Sequence, residues 1–238
     1  MIQTASVALP GGLRAALRVR RSRRAQRLAL RIMPASGEVE LVVPLRASVK
    51  QGVAFAREKA SWIKAHLSNL PLPVPFADGA IIPVFNQPHR IRRTDELFGG
   101  IWLTDKELQV AAAPETVPDV VRGWLRNQAR ENLISRAEDK SGLLNSRFRR
   151  LTVRDTASRW GSCSPKGDLS FSWRIIMAPE YAIDYLVAHE VAHLQEMNHS
   201  RRFWAIVDAI AEEPERGRDW LRDHGASLHR YGVEPRSL

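Results

Sequence analysis

The sequence predicts an α+β protein, with a strand-rich N-terminal domain followed by a C-terminal domain in which a histidine-bearing helix comes after a small sheet. Three observations carry this expectation. Short runs of alternating apolar and polar residues fill much of the first half. A long amphipathic stretch opens at Pro118 and Asp119. The segment HEVAHLQEMNHS, residues 189 to 200, then gathers His189, Glu190, His193 and His199 in a chain that has only seven histidines.

Composition sets the outer bounds. With 44% hydrophobic and 26% charged residues over 238 positions, the chain can bury a real core, and disorder is not the default. No uninterrupted apolar run approaches the roughly 18 residues of a membrane span. The opening MIQTASVALPGG has no basic flank leading into an apolar signal core, so a cytoplasmic protein without membrane association is expected. The single cysteine, Cys163, rules out an internal disulfide framework and a multi-thiolate zinc site. Any metal must be held by histidine and carboxylate.

The net charge is +10, and eight arginines fall between Arg14 and Arg31. Such a block holds nucleic acid, anionic lipid or an acidic substrate by charge alone, so nucleic acid or a nucleotide is a candidate partner of the Arg-rich N-terminal region. The competing reading is a solvated face. Leu28, Leu30 and Ile32 alternate with Arg27, Ala29 and Arg31, as in a half-buried strand.

Taken in order, this strand is followed by a turn at Pro34 to Gly37 and a next meander strand in EVELVVP, where Val39, Leu41 and Val43 share a face. Ser48 is a helix N-cap for residues 49 to 70, whose apolar residues recur at helical spacing. The proline-rich segment 71 to 76 ends that helix and leads to short strands around AIIPVF, HRIRR and GIWLTDKELQVAA. No internal repeat is evident. A domain boundary is expected at about residue 115, giving a basic, strand-rich domain over 1–115 and a second domain, carrying the histidine motif, over 116–238. In the second, a helix from Pro118 precedes two or three strands, with SPKG as a turn; Pro179 opens the motif helix, and two helices broken at Pro214 and Gly217 close the chain.

Helical residues four apart lie on one face, so His189 and His193 can share one ion. Glu190 is displaced just enough to miss the ion and reach a water bound to it, the place of a general base. Zinc with three protein ligands keeps a position for water and lowers its pKa toward about 7. The chemistry implied is metal-assisted hydrolysis with Zn2+ as cofactor. His199 is the third-ligand candidate: Asn198 tolerates the left-handed conformation that ends many helices, which would turn His199 back toward the ion, and Ser200 would cap the next helix. Glu212 or Glu213 is the alternative third ligand.

The run RWGSC, residues 159 to 163, followed by IDYLVAHEVAHLQEMNHSRRFW, residues 183 to 204, resembles the YgjP-like metallopeptidases, zincins related to the WLM and SprT-like proteins. The resemblance implies a zincin-like C-terminal domain, zinc on His189, His193 and His199, Glu190 as catalytic base, and a peptide or protein substrate. The chain departs from the metzincins, which have Gly where Glu196 stands and a methionine turn after the third histidine. Two other functions share the metal site: a nucleotide phosphoanhydride hydrolase, and a protease directed to nucleic acid by the basic domain. Asp184 and Tyr185 are candidates to orient a ligand, and Arg159, Tyr181 and Tyr231 to stabilise an oxyanion. Trp160 is expected beneath the motif helix with Gly161 allowing a close approach, Cys163 as a buried thiol, and Phe203 and Trp204 as core residues fixing the turn after His199.

Overall fold

Residues 3–33, 37–95, 100–156 and 159–234 are described in the computed structural model of the chain. Residues up to Leu72 form one unit and those from Pro73 onward a second.

In the first unit, β1 (Gln3–Ala8), β2 (Arg14–Ser22), β3 (Ala29–Ile32) and β4 (Val39–Pro44) make a sheet of order β1-β2-β4-β3. Alternation decides its faces: Ala15, Leu17 and Val19 of β2 are buried while Arg14, Arg18 and Arg20 are exposed. The expected meander is not formed, because β4 inserts between β2 and β3 and pairs with β2 in parallel. Pro34, Ala35 and Ser36 of the expected turn lie outside the described residues. Ser48 caps α1 (Val49–Glu58) in a reciprocal capping box with Gln51. A second helix, α2 (Ala60–Ser68), begins after a break at Lys59, so the single helix expected over 49 to 70 is two. Ala56 and Ile63 from these helices join Leu17, Leu41 and Val43 in one core. Gly52 lets α1 lie close on β4: a Cβ there would stand 3.0 Å from both Leu41 and Val43 side chains.

The second unit starts with β5 (Ile81–Val84), β6 (Gln87–Thr94), β7 (Ile101–Leu103) and β8 (Glu107–Ala111), in the order β5-β6-β8-β7. The first sheet's topology therefore recurs, with β6 and β8 parallel and the outer pairs antiparallel. Ile82, Val84, Ile91, Leu108 and Val110 share one core with α3 (Val117–Leu143) and the motif helix. The division thus falls at Leu72/Pro73 rather than near residue 115, since this sheet buries its apolar face against the C-terminal helices.

A third sheet, β10-β11-β9, comprises β9 (Arg150–Arg154), β10 (Gly161–Cys163) and β11 (Asp168–Ser172), with β10 at an edge. Three helices follow: α4 (Glu180–Ala192), α5 (Arg201–Ile210) and α6 (Pro214–His224). Apolar side chains surround α4, which is buried over nearly its whole length from Ala182 to Ala192. Pro214 starts α6, and Gly217 lies inside it rather than breaking it. A Cβ on Gly217 would stand 2.7 Å from the Tyr181 carbonyl oxygen, so glycine sets the close approach of α6 to α4. No described helix is long and apolar enough to cross a membrane.

Candidate metal centre

His189 lies in the last turn of α4 and His193 caps its C-terminus, so the helix stops one residue before the second motif histidine. The chain then reverses. The Ser200 N–H donates to the Asn198 carbonyl at 2.8 Å, and Ser200 Oγ accepts from the Phe203 N–H at 3.3 Å, capping α5. Asn198 is not left-handed as expected: among described residues other than glycine, positive φ occurs at Phe85, Asn86 and Asn145. The tight turn at Asn198 to Ser200 achieves the reversal instead.

This brings His199 back onto α4. One ring nitrogen from each of His189, His193 and His199 lies within 4.8 Å of the others. Phe203, fully buried, packs its ring 4.5 Å from His193, 4.7 Å from His199 and 4.9 Å from His189, and so backs all three. Trp204 flanks His189 and His199.

The donor chemistry fits a divalent ion. His193 Nδ1 lies 3.0 Å from the Glu196 carbonyl, which can only accept, so Nδ1 carries the proton and Nε2 keeps its lone pair. His189 and His199 face each other through their Nε2 atoms at 3.1 Å. At that separation the two nitrogens can share one proton in a hydrogen bond or, with both lone pairs free, converge on one cation. Nitrogens about 3.3 Å apart are what tetrahedral bonds of roughly 2.0–2.1 Å require. Burial, with His193 and His199 nearby, pushes His189 down to about 4, keeping its ring neutral at pH 7. Burial likewise lowers His193.

Glu190, 5% exposed, presents its carboxylate to the edge strand. A Cβ on Gly161 would stand 2.5 Å from Glu190 Oε1, so only glycine there leaves the carboxylate its place. Burial pushes the Glu190 carboxyl up to about 7, with Arg159 and the Cys163 N–H opposing the rise.

The chain matches the family model described as YgjP-like, metallopeptidase domain, over residues 26–224. It belongs to the YgjP-like metallopeptidase family. It is accordingly a metal-dependent hydrolase of the peptidase class, of mixed α+β fold. Among solved structures it is similar to the metallopeptidase zymogen of Pyrococcus abyssi abylysin, with 22% identity, coverage of 38% of this chain and 94% of that one, and a TM-score of 0.33. No curated protein matches.

The remaining candidates of this YgjP-like chain fall in other places. Asp184 is buried and paired with Lys140 at 2.6 Å, and it accepts the Glu212 N–H at 2.9 Å. Glu213 pairs with Arg216 at 2.9 Å. Tyr185 sits 6.0 Å from His189, ring to ring. Arg216 covers the Tyr181 ring at 3.8 Å, and the Tyr231 carbonyl accepts from Arg174 at 2.6 Å. Arg159 is exposed, yet its charge reaches Glu190. Trp160 stacks on His229 at 4.9 Å and packs against the core that includes the motif helix. Burial pushes the half-buried Cys163 thiol up to about 11, so it is not a ready thiolate. Lys140, Arg174 and His229, which hold this framework, carry no local sequence signal.

Proposed function

We propose that the chain is a zinc-dependent peptidase in which His189, His193 and His199 hold the ion and Glu190 is the general base. The observation that carries this reading is the convergence of three histidine nitrogens within 4.8 Å, with the buried carboxylate of Glu190 next in the chain to His189 on α4. When bound, zinc would supply a Lewis acid that acidifies water and polarises a carbonyl. Glu190 removes a proton from the water as its oxygen adds to the peptide carbonyl carbon. The same carboxylic acid then returns that proton to the amide nitrogen as the C–N bond breaks, so no covalent enzyme intermediate forms. Gly161 leaves the carboxylate room to do so, and Phe203 fixes the planes of the ligand rings. Three imidazoles and no thiolate suit zinc.

The test is peptide-bond cleavage by the zinc-loaded protein in a mixture of denatured-protein peptides, read by mass spectrometry. Cuts lost on chelation and restored by zinc are expected. A protein that binds zinc and cuts no peptide, while hydrolysing nucleoside triphosphates, would replace this reading with the phosphoanhydride one.

A further inference from the structure

We propose that the arginine-rich sheet of the first unit binds the sugar-phosphate backbone of a nucleic-acid duplex without reading its sequence. The charge distribution is the first ground. Residues 1–72 carry thirteen Lys and Arg against three Asp and Glu, which accounts for the entire excess of +10; the rest of the chain carries 23 of each. The unit that holds the histidine triad is therefore neutral overall, and the positive field comes from the other.

Register places those charges. Arg18 and Arg31 lie on either side of Glu40 in one cross-strand row, with Arg20 two positions along. Arg20 pairs with Glu40 at 2.8 Å and Arg18 with Glu38 at 3.6 Å, so this part of the face is partly neutralised. The far end of the sheet is not. Because β2 and β4 run parallel, their C-terminal ends bring Arg21 beside Arg46, with Arg23, Arg24 and Arg27 in the loop between β2 and β3. Arg21 donates to the Leu45 carbonyl at 2.6 Å and Arg46 to that of Gln26. Both guanidinium groups are thereby oriented, but a carbonyl does not cancel a charge. Among the described residues, none of these five arginines has a carboxylate partner.

The kind of partner follows from what accompanies the charge. Guanidinium forks match phosphate oxygens in pairs. Unpaired bases need aromatic platforms to stack on, and the two aromatic residues of this unit, Phe55 and Trp62, both lie on the helices that cover the opposite face. Insertion into a lipid surface needs clustered apolar side chains. Here Leu13 precedes β2 and Leu45 follows β4, which separates the exposed leucines to opposite ends of the parallel pair. A regular double-stranded polyphosphate is the partner that this surface fits.

The test is fluorescence anisotropy of the whole 238-residue chain, zinc-loaded, on mixed-sequence DNA and RNA duplexes, with salt varied from about 50 to about 200 mM. Affinity should fall steeply with salt and be indifferent to sequence. The triple variant Arg23→Ala, Arg24→Ala, Arg27→Ala should lose at least tenfold in affinity and flatten the log–log salt slope by up to roughly 0.9 for each phosphate it no longer neutralises. Arg122→Ala, Arg126→Ala, Arg130→Ala, an equal charge loss on α3, should change neither. Matching melting curves and peptide turnover for the two variants would show that the fold is intact. Equal losses in both variants, tighter binding of a single strand than of a duplex, or binding confined to phosphatidylserine vesicles would each overturn the proposal.

Discussion

Gly161 and Glu190 meet across 29 positions, and their close approach sets how the candidate base is held. In Gly161→Ala the new methyl group would press on Glu190 Oε1 and Cγ, at 2.5 and 2.6 Å. The carboxylate must move, and a displacement on the order of 1 Å costs about a hundredfold in rate. Turnover should fall by tenfold or more with zinc content unchanged, measured by kinetics and metal analysis on one preparation. Unchanged turnover would mean that the position of Glu190 does not matter. The histidine cluster is legible in the sequence because its members are local: a helical turn joins His189 to His193, and a short reversal adds His199. The RWGSC segment is visible as a motif, but nothing local reveals that its glycine faces Glu190 or that its tryptophan stacks on His229.

Among the elements, α3 anchors α4 through a buried ion pair. Lys140 donates to Asp184 at 2.6 Å and to the Ile210 carbonyl at 2.6 Å, while Asp184 also accepts the Glu212 N–H. The motif helix, α3 and the end of α5 are thus tied at one point. Removing one partner of such a pair leaves a buried charge unmatched and costs about 3–5 kcal/mol. Asp184→Asn should therefore lower the urea midpoint sharply, and adding Lys140→Met should recover part of the loss. A single variant as stable as wild type would show that the pair does not hold α4. Nothing at Lys140 announces this role, since its partners are 44 and 70 positions away. Strand order is hidden for a similar reason. Alternation gives the face of β2 or β4 but not its neighbour, so it suggests a meander where a parallel pair is found. The recurrence of one topology in two sheets also leaves no mark at the level of residues, because it repeats hydrogen-bond pairing rather than side chains.

Across the whole molecule, the arginine excess is plain in the sequence, but its confinement to one unit emerges only with the division at Leu72/Pro73. Sequence pattern puts that boundary later because β5 to β8 resemble the first sheet while burying their apolar residues with α3 and α4. Global stability should also depend on acid through His229, which is held near 4 by burial and by Arg174, against the weaker pull of Asp155. The unfolded chain takes up this proton at about 6.5 and the folded one near 4. Stability from this group is therefore complete above about 6.5 and is lost as the pH falls toward 4. The difference in melting temperature between wild type and His229→Gln should shrink over that window, and a constant difference would contradict a buried neutral ring. The most direct test of the proposed hydrolytic centre is Glu190→Gln, with zinc content and peptide cleavage measured on the same sample. One bound zinc per chain with cleavage reduced at least a hundredfold, the scale of general-base catalysis, is the predicted result. Cleavage at the wild-type rate with zinc in place would contradict the account.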